Sequence, residues 1–274
     1  MEKNISSFKT SDGMSVEVFA SFVENPRATI VVWPCMGGSV LMYRCPVERF
    51  TSGGCSVILF NPRGHGASGG QFVPELAARD LHEFLSRYKT DLSPLYIIGH
   101  SAGANAALQF ATGYERGDRF LLVSPVLDSI ESLRYMYRIK TIAEFNMLIG
   151  AITRDRDFTL SVLENEEWME PETWRKKDYR KRLNDISGDF HVGSFLEILF
   201  IDGYNAFDDL ILHGEKSTVL LPRQDNWYPF ETVKALTDRG NVRLQILQEA
   251  GDHFFTGAWG AVWDWVLEDL TALF

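Results

Sequence analysis

Short apolar and β-branched runs recur along the chain, with helical patterns between them. The first run alternates between apolar and polar residues, whereas most later runs are continuously apolar. These runs predict strands at residues 16–22, 28–33, 55–60, 94–98, 119–124, 217–221 and 242–247. Continuously apolar strands are buried on both faces, as in a parallel sheet that helices cover. The pattern therefore predicts an α/β fold with a mostly parallel central sheet.

One helical stripe lies between the predicted strands at 55–60 and 94–98. Its apolar members are Ala77, Leu81, Phe84, Leu85 and Tyr88. Their spacing of three and four residues places them on one face of a helix. A strand, a helix and a second strand in this order form a crossover between parallel strands.

The alternation of strands and helices stops between residues 128 and 216. Helical patterns occur there at 130–149, 171–183 and 195–207, without a convincing strand. Acidic residues precede a basic run at 175–182. This order complements a helix dipole on a solvated face. Alternatively, the basic run could bind an anionic group such as a coenzyme A phosphate. We interpret residues 128–216 as a helical insertion into a core formed by residues 1–127 and 217–274.

Charge and composition narrow the class of protein. With 27 basic and 37 acidic side chains among 274 residues, the formal charge is −10, which repels nucleic-acid phosphates. The chain is 45% hydrophobic, which is typical of a globular protein with a substantial core. We therefore predict a folded protein that does not bind nucleic acid.

The cysteines and the first residues bear on the compartment. Cys35, Cys45 and Cys55 form a sparse, odd-numbered set, unlike the disulfide framework of a small secreted domain. Residues 1–13 contain no apolar signal-peptide core, and no stretch has the roughly 18 consecutive apolar residues of a membrane span. These features predict a cytoplasmic protein without integral membrane association.

A G-x-S-x-G pentapeptide at 99–103 follows the predicted strand at 94–98 directly and precedes a helix-forming run. Its small residues let strand and helix approach closely, so that the central serine occupies a sharp, strained turn. The helix would also point its positive end to where negative charge develops during attack on a carbonyl. Ser101 is thus the candidate nucleophile, and an inert serine in a glycine-rich turn is the alternative.

A serine nucleophile needs a base, because its hydroxyl is a weak nucleophile at neutral pH. His253 lies between the last predicted strand and the final helix, in a loop that a parallel sheet places at the same edge as Ser101. The other histidines are His65 and His100 in glycine-bearing turns, His82 on a predicted exposed helix face, and His191 and His213 in or beside the insertion. We predict that His253 is the base.

The base in turn needs a carboxylate that orients it. Asp225 follows the predicted strand at 217–221, and one helix and one strand separate it from His253, which makes the two loops adjacent. Asp128 is the rival, because it follows the preceding strand. Asp252 adjoins His253, but neighbouring side chains usually diverge, and we interpret it as a loop-shaping residue.

The order Ser101, Asp225, His253, with the strand–turn–helix motif and the sheet pattern, resembles the α/β-hydrolase superfamily over nearly the whole chain. The nearest likeness is to serine esterases, lysophospholipases and thioesterases that carry a helical lid. Residues 61–68 are similar to the family's Arg-Gly-His-Gly-x-Ser loop. In the family this loop is mainly architectural, so His65 receives no catalytic role.

The resemblance also implies an oxyanion hole. Segment 33–38 lies where relatives carry a His-Gly pair and the first oxyanion donor, although Pro34 and Cys35 replace that pair here. Matching the two places the donors at the backbone N–H groups of Met36 and Ala102. The Cys35 thiol is interpreted as a small packed side chain.

By the same resemblance, residues 128–216 would cover the sheet edge as a lid. Their large apolar side chains either line an acyl pocket or pack the helices together, and as a group they favour a hydrophobic substrate. They are Tyr135, Met136, Tyr137, Phe145, Met147, Leu148, Trp168, Met169 and Trp174.

The implied function is a serine hydrolase that cleaves a small-molecule carboxylic ester or thioester through an acyl-enzyme. We predict no metal and no other cofactor, because the chain has no H-E-x-x-H, no paired-cysteine motif and no G-x-G-x-x-G after the first strand. Two alternatives stay open. The same triad could cleave another bond such as an amide, or a hydrolase-like protein could bind a small molecule without catalysis.

Overall fold

The computed structural model describes residues 4–88 and 94–273, and its centre is an eight-stranded sheet. The strands are β1 (Asn4–Lys9), β2 (Ser15–Ser21), β3 (Ala28–Trp33), β4 (Cys55–Phe60), β5 (Leu95–His100), β6 (Arg119–Val123), β7 (Ser217–Pro222) and β8 (Arg243–Leu247). They lie in the order β1-β2-β4-β3-β5-β6-β7-β8. All neighbours from β4 to β8 are parallel, whereas β1 and β2 pair antiparallel at one edge. The predicted fold class is confirmed.

The helices lie on both faces of this sheet and in one long connection. The α-helices are α1 (Val47–Ser52), α2 (Pro74–Tyr88), α3 (Ala102–Tyr114), α4 (Ser129–Arg138), α5 (Ile142–Ala151), α6 (Arg156–Leu163), α7 (Pro171–Lys176), α8 (Tyr179–Ile186), α9 (Val192–Leu196), α10 (Phe207–Leu212), α11 (Phe230–Gly240) and α12 (Trp259–Leu273). Short 3₁₀ helices lie at Val40–Tyr43, Glu166–Met169, Gly188–Phe190 and Gly214–Lys216, and a π-helical turn lies at Glu197–Ile201.

Burial on both faces explains why the central strands are mostly apolar along their whole length. Every residue of β3, β4, β5 and β7 is buried. In β5, Ile97 packs into the core under α2 and α3, while its neighbour Ile98 packs into the opposite core with α1 and α12. Because each strand supplies both cores in alternation, a polar side chain there needs a hydrogen-bond partner: Ser56 accepts from the Val23 N–H at 3.1 Å, and Ser217 donates to the His213 carbonyl at 2.8 Å.

The first strand, β1, is absent from the sequence prediction. Its sequence, Asn-Ile-Ser-Ser-Phe-Lys, contains only two apolar residues and no continuous apolar run. It pairs antiparallel with β2 at the edge of the sheet, where a strand has only one neighbour. Backbone pairing, rather than a hydrophobic pattern, defines this strand.

The connection between β6 and β7 is helical, but its helices are shorter than predicted. The pattern at 130–149 forms α4 and α5 with a break in which Lys140 has φ of 62°, and the pattern at 171–183 breaks at Asp178, with φ of 50°. The pattern at 195–207 gives the end of α9, the π-helical turn and only the first residue of α10. A single residue with positive φ ends a helix but leaves the spacing of apolar residues along the sequence unchanged, so hydrophobic periodicity does not predict these breaks.

Several large side chains of this connection form its own core. Trp168 packs against Trp174 and Phe200 with ring centroids 5.9 and 6.0 Å apart, and Phe145 packs against Phe200 at 5.5 Å. Met147, in contrast, is 59% exposed. For these aromatic residues the structure therefore shows helix packing as their main contact.

Two further observations concern the cysteines and the possibility of a membrane-spanning helix. All three cysteines are free thiols. Among the residues that the structure describes, no helix combines the length and the apolar character that a bilayer crossing requires.

A buried ion pair fastens the loop after β4 to α2. The Arg63 guanidinium contacts Asp80 at 2.6 Å and Asp12 at 2.9 Å. The Asp80 side chain is fully buried, whereas Asp12 is partly exposed. A buried guanidinium needs such partners, because an unpaired charge in the interior is strongly unfavourable.

We predict that Asp80→Ala lowers the free energy of unfolding by about 3 kcal/mol, the low end of the range for a broken buried pair, because Asp12 still contacts Arg63. The matched control is Asp264→Ala, which removes the partner of Arg49 from a pair that is 60% exposed on both sides. Equilibrium urea denaturation measures both variants. Equal losses for the two aspartates would contradict this account.

Candidate active site

The turn between β5 and α3 holds Ser101 in a strained conformation. The strand ends at His100 and the helix begins at Ala102, which leaves Ser101 alone at the corner with φ of 54° and ψ of −115°. Non-glycine residues rarely adopt such angles, and they persist where the surroundings enforce them. The corner presents the serine hydroxyl at the carboxyl edge of the sheet.

Two glycines make this corner possible. A Cβ atom on Gly99 would lie 2.4 Å from the Gly103 carbonyl oxygen, and one on Gly103 would lie 2.5 Å from the Pro34 carbonyl oxygen. Both distances are too short for any side chain. The start of α3 therefore rests directly on the backbone of the loop that follows β3.

Ser101, His253 and Asp225 lie in a single hydrogen-bonded row. The Ser101 Oγ is 3.0 Å from His253 Nε2, and His253 Nδ1 is 3.1 Å from each carboxylate oxygen of Asp225. A carboxylate can only accept, so Nδ1 carries the proton and Nε2 is free to accept from the serine hydroxyl. This is the arrangement of nucleophile, base and orienting carboxylate that activates a serine.

The surroundings of Asp225 favour its ionised form. Burial would raise its pKa, but the charge and hydrogen bonds of His253 and the backbone N–H of Trp227, 2.8 Å away, together hold the pKa below its usual value. Asp225 is therefore an anion at neutral pH and can stabilise a protonated imidazole.

The other two aspartates considered from the sequence have local contacts. Asp128 accepts from the Glu131 backbone N–H at 2.8 Å, as the cap of α4, and from Asn205 at 2.9 Å. Asp252 accepts from the Phe254 backbone N–H at 2.9 Å and so shapes the loop next to His253. Of the three carboxylates, the structure brings Asp225 to the imidazole.

Aromatic rings fix the plane of the His253 imidazole. Trp227 stacks on it with an interplanar angle of 11° and a centroid distance of 4.9 Å, and Phe254 stands perpendicular to it at 5.2 Å. The Trp227 Nε1 donates to Glu144 in α5 at 3.2 Å. The sequence analysis did not predict Trp227 as a partner of His253, although its place two residues after Asp225 was an available signal.

The loop after β3 has one free amide between two that are tied down. The Cys35 N–H donates to the Tyr43 hydroxyl at 2.6 Å, and the Gly37 N–H donates to His65 Nε2 at 3.0 Å. The Met36 N–H between them donates to no residue within 4–88 and 94–273. The Ala102 N–H, at the first position of α3, is a helix-terminal donor of the kind that helices leave without a partner.

His65 holds this loop in place as a neutral side chain. Its Nδ1–H donates to the Arg63 carbonyl at 3.1 Å, so that Nε2 can accept from Gly37. Burial lowers the pKa of His65 to about 4. The Arg-Gly-His-Gly motif thus acts on the site through architecture.

The remaining histidines lie outside the hydrogen-bonded row of Ser101, His253 and Asp225. His100 is buried behind the corner, and His82 is half-buried rather than exposed, because its ring stacks on Tyr114 at 4.2 Å. His191 is exposed, and His213 Nε2 lies 3.1 Å from the Thr112 hydroxyl. In the described part of the chain, no three His, Cys, Asp or Glu side chains are grouped as metal ligands.

We predict that Gly103→Ala disrupts the corner, because its methyl group would overlap the Pro34 carbonyl oxygen. Gly113→Ala is the matched control in the same helix, since a Cβ there meets nothing within 4 Å and alanine favours a helix by up to about 1 kcal/mol. Thermal and urea denaturation of both variants measure the difference. A Gly103→Ala protein as stable as Gly113→Ala would contradict the close approach.

We predict that acid destabilises the protein through its buried histidines. Burial lowers the pKa of His65 from 6.5 to about 4 and that of His100 from 6.5 to about 3. Below about pH 6.5 the unfolded chain therefore binds protons at these residues that the native state does not bind. The stability that each neutral ring contributes is fully present above about pH 6.5 and is lost as the pH falls towards 4, by up to about 1.4 kcal/mol per pH unit for each histidine.

The measurement is urea denaturation between pH 7 and pH 4 on the wild type and His65→Gln, with His191→Asn as the exposed control. His65→Gln should show a shallower dependence of unfolding free energy on pH, whereas His191→Asn should keep the wild-type slope. Parallel curves for all three proteins would show that His65 does not titrate on unfolding.

Comparisons with known proteins agree with this fold. The α/β hydrolase GrgF from Penicillium sp. sh18 superposes with a TM-score of 0.63 at 17% identity over 99% of this chain and 98% of its own. A carboxylesterase structure from the thaumarchaeon Nitrososphaera gargenis gives 0.67 at 16% over 97% and 98%, and the esterase EaEST from Exiguobacterium antarcticum gives 0.64 at 14% over 97% and 99%.

No curated protein sequence matches the chain. A family model does: the one described as serine aminopeptidase, S33, matches residues 24–176, which is more than half of the sequence. That segment includes the loop after β3, the Arg-Gly-His-Gly motif and the corner with Ser101. The chain therefore belongs to the serine aminopeptidase, S33 family of α/β hydrolases.

Proposed function

We propose that this hydrolase cleaves a carboxylic ester or thioester, with Ser101 as nucleophile, His253 as general base and Asp225 as the orienting carboxylate. The observation that carries the proposal is the 3.0 Å contact between Ser101 Oγ and His253 Nε2. It supports activation of the serine, because the opposite nitrogen of the same ring faces a buried carboxylate whose pKa is lowered.

In the acylation half, Ser101 Oγ attacks the carbonyl carbon of the substrate while its proton moves to His253 Nε2. The negative charge that develops on the carbonyl oxygen accepts hydrogen bonds from the Met36 and Ala102 amides. Collapse of this intermediate breaks the bond to the leaving group. His253 returns the proton to the departing oxygen or sulfur, which leaves as an alcohol or thiol.

In the deacylation half, water replaces the leaving group. His253 removes a proton from the water as its oxygen attacks the acyl-enzyme carbonyl, and the same two amides stabilise the second oxyanion. The bond to Ser101 Oγ then breaks, the proton returns to that oxygen, and the carboxylic acid is released. Asp225 stays ionised throughout and keeps the imidazole in the required tautomer.

We assign the choice of acyl group to a cap formed by residues 128–216. Two contacts support a position of this segment beside the site: Ser132 in α4 donates to the Trp227 carbonyl at 2.7 Å, and Thr141 donates to the Asn226 carbonyl at 3.0 Å. Both carbonyls belong to the loop that carries Asp225. The fully buried aromatic side chains of the segment pack its own core, so the proposal of a hydrophobic acyl part rests on partly buried apolar ones such as Leu148 and Met169.

Amide cleavage is a second candidate, because the matching family is described as a serine aminopeptidase. The same three side chains would serve, with His253 protonating an amine instead of an alcohol or thiol. An amine is the poorer leaving group, so this reaction depends more strongly on proton transfer from the imidazole.

We predict that Ser101→Ala abolishes labelling by a fluorophosphonate probe and lowers kcat for p-nitrophenyl esters by about a thousandfold or more, because the attacking atom is removed. Ser161→Ala, at an exposed serine of the cap segment, is the control and should label and turn over as the wild type does. Folding of both variants is checked by circular dichroism.

The substrate panel consists of p-nitrophenyl esters of increasing chain length, acyl thioesters and aminoacyl p-nitroanilides. Turnover that rises with chain length would support the hydrophobic acyl group, and preference for the anilides would instead support the peptidase candidate. A folded wild type that neither labels nor turns over any member would contradict catalysis and favour a hydrolase-like protein that binds a small molecule.

A further inference from the structure

A row of buried hydrogen bonds outside the proposed triad joins the loop after β3 to the loop of His253. The Cys35 N–H lies 2.6 Å from the Tyr43 hydroxyl oxygen, which lies 3.0 Å from His100 Nδ1. On the other side of the same ring, His100 Nε2 lies 2.9 Å from the His253 carbonyl oxygen. We call this row the Tyr43–His100 bridge.

The protons of the bridge can be arranged in only one way. The His253 carbonyl must accept, so His100 Nε2 carries the proton. In a neutral imidazole Nδ1 then has a lone pair and accepts from the Tyr43 O–H. The Tyr43 oxygen, having donated its proton, accepts from the Cys35 N–H. Every donor and acceptor in the row is therefore satisfied.

The side chains of the bridge are buried, and they do not change protonation state around neutral pH. Tyr43 is 2% exposed and His100 is 1% exposed. Burial lowers the pKa of His100 to about 3 and raises that of Tyr43 well above its usual value, so both stay neutral around neutral pH. Removing one member leaves its partners buried without a hydrogen bond, which is unfavourable.

The Tyr43 ring is itself fixed to helix α12. It packs against Trp259 with centroids 4.2 Å apart, and the Trp263 Nε1 donates to the Tyr43 carbonyl at 2.8 Å. The hydroxyl therefore has little freedom to follow either loop. The bridge therefore connects two loops, each at the end of a strand, through side chains that pack against α12.

We propose that Tyr43 and His100 are positioning residues that set the distance between the Met36 amide and the His253 imidazole. The inference rests on the proposed function, in which that amide stabilises the oxyanion and that imidazole moves the proton. Both groups act on one reacting carbonyl, and a displacement of about 1 Å in such groups can lower the rate by about a hundredfold. The bridge touches no reacting atom and acts through the backbone at Cys35 and His253.

The decisive variant is Tyr43→Phe, which removes one oxygen atom and keeps the ring against Trp259. We expect kcat for the best p-nitrophenyl ester to fall by about ten- to a hundredfold with little change in KM, because a displaced oxyanion donor is lost in the transition state and not in the ground state. The pH dependence of kcat/KM should keep its wild-type shape, because Asp225 and His253 remain intact.

Tyr96→Phe is the matched control. It removes another buried tyrosine hydroxyl, one that donates to Asp269 at 2.9 Å at the opposite end of β5. We expect it to lower the free energy of unfolding as Tyr43→Phe does and to leave kcat unchanged. If Tyr43→Phe keeps kcat within about twofold of Tyr96→Phe, or raises KM alone, the positioning role is overturned.

Variants of His100 test the other end of the bridge. His100→Gln can place an amide N–H near the position of Nε2 and keep the contact with the His253 carbonyl, whereas His100→Phe cannot. We expect His100→Gln to retain more kcat than His100→Phe. The double variant Tyr43→Phe/His100→Phe should lose little more than the worse single variant, because one connected unit is broken; additive losses would contradict it.

Fluorophosphonate titration separates this inference from the proposed function. Labelling of the wild type and Tyr43→Phe at Ser101, together with equal kcat, would leave the catalytic assignment intact and overturn only the bridge. Failure of the wild type to label at Ser101 would overturn the proposed function on which the bridge depends.

Discussion

The close approach of α3 to the loop after β3 is the constraint on which the site depends. Where Gly103 stands, the helix backbone touches the Pro34 carbonyl, and no side chain fits between them. This contact brings the start of α3 against the loop that carries Met36, and Ser101 occupies the corner before it with φ of 54°. A side chain at position 103 would force the helix away from that loop and displace Ser101 with it.

Three histidines near this corner show how hydrogen-bond partners decide chemistry. His65 and His100 each donate to a backbone carbonyl and accept from a neutral donor, an amide N–H in one and a hydroxyl in the other. Burial disfavours the charged form of both rings and lowers their pKa values, and no carboxylate lies within hydrogen-bond distance of either ring among the described contacts to offset it.

His253 differs from both in its partners. Its Nδ1 faces the two carboxylate oxygens of Asp225, and its Nε2 faces a hydroxyl that can turn and accept. An imidazolium there would keep two hydrogen bonds and gain a counter-ion. The residue type is the same in all three places, and of the three rings that of His253 has a carboxylate at one nitrogen and a serine hydroxyl at the other.

The fold followed from the sequence because its signals are local. Strands buried on both faces are mostly apolar along their whole length, and β3 and β4 have the predicted bounds. The edge strand β1 and the breaks at Lys140 and Asp178 were not predictable, because edge pairing and a single left-handed residue leave no mark on hydrophobic spacing.

For the site, chain order and loop position predicted which polar residues would meet at the sheet edge. Partners chosen by packing were missed: Tyr43 reaches His100 across 57 residues, and the Trp227 ring lies on His253. No periodicity specifies such contacts. They arise because a large rigid side chain fills whatever space the assembled elements leave beside the imidazole.

The two halves of the site have different supports. Ser101 is held at the end of β5, where its N–H donates to the Val123 carbonyl of β6 at 2.9 Å. The Met36 loop is held by its close approach to Gly103 of α3 and by the hydrogen-bonded amides of Cys35 and Gly37.

The carboxylate loop is held by the connection between β6 and β7. Ser132 and Thr141 bind its carbonyls, and Glu131 and Glu144 accept from the side chains of Tyr228 and Trp227. Since Trp227 also stacks on His253, a shift of α4 or α5 would reach the imidazole directly and the serine only through it. The position of His253 thus depends on the helices of the connection, whereas that of Ser101 depends on the sheet.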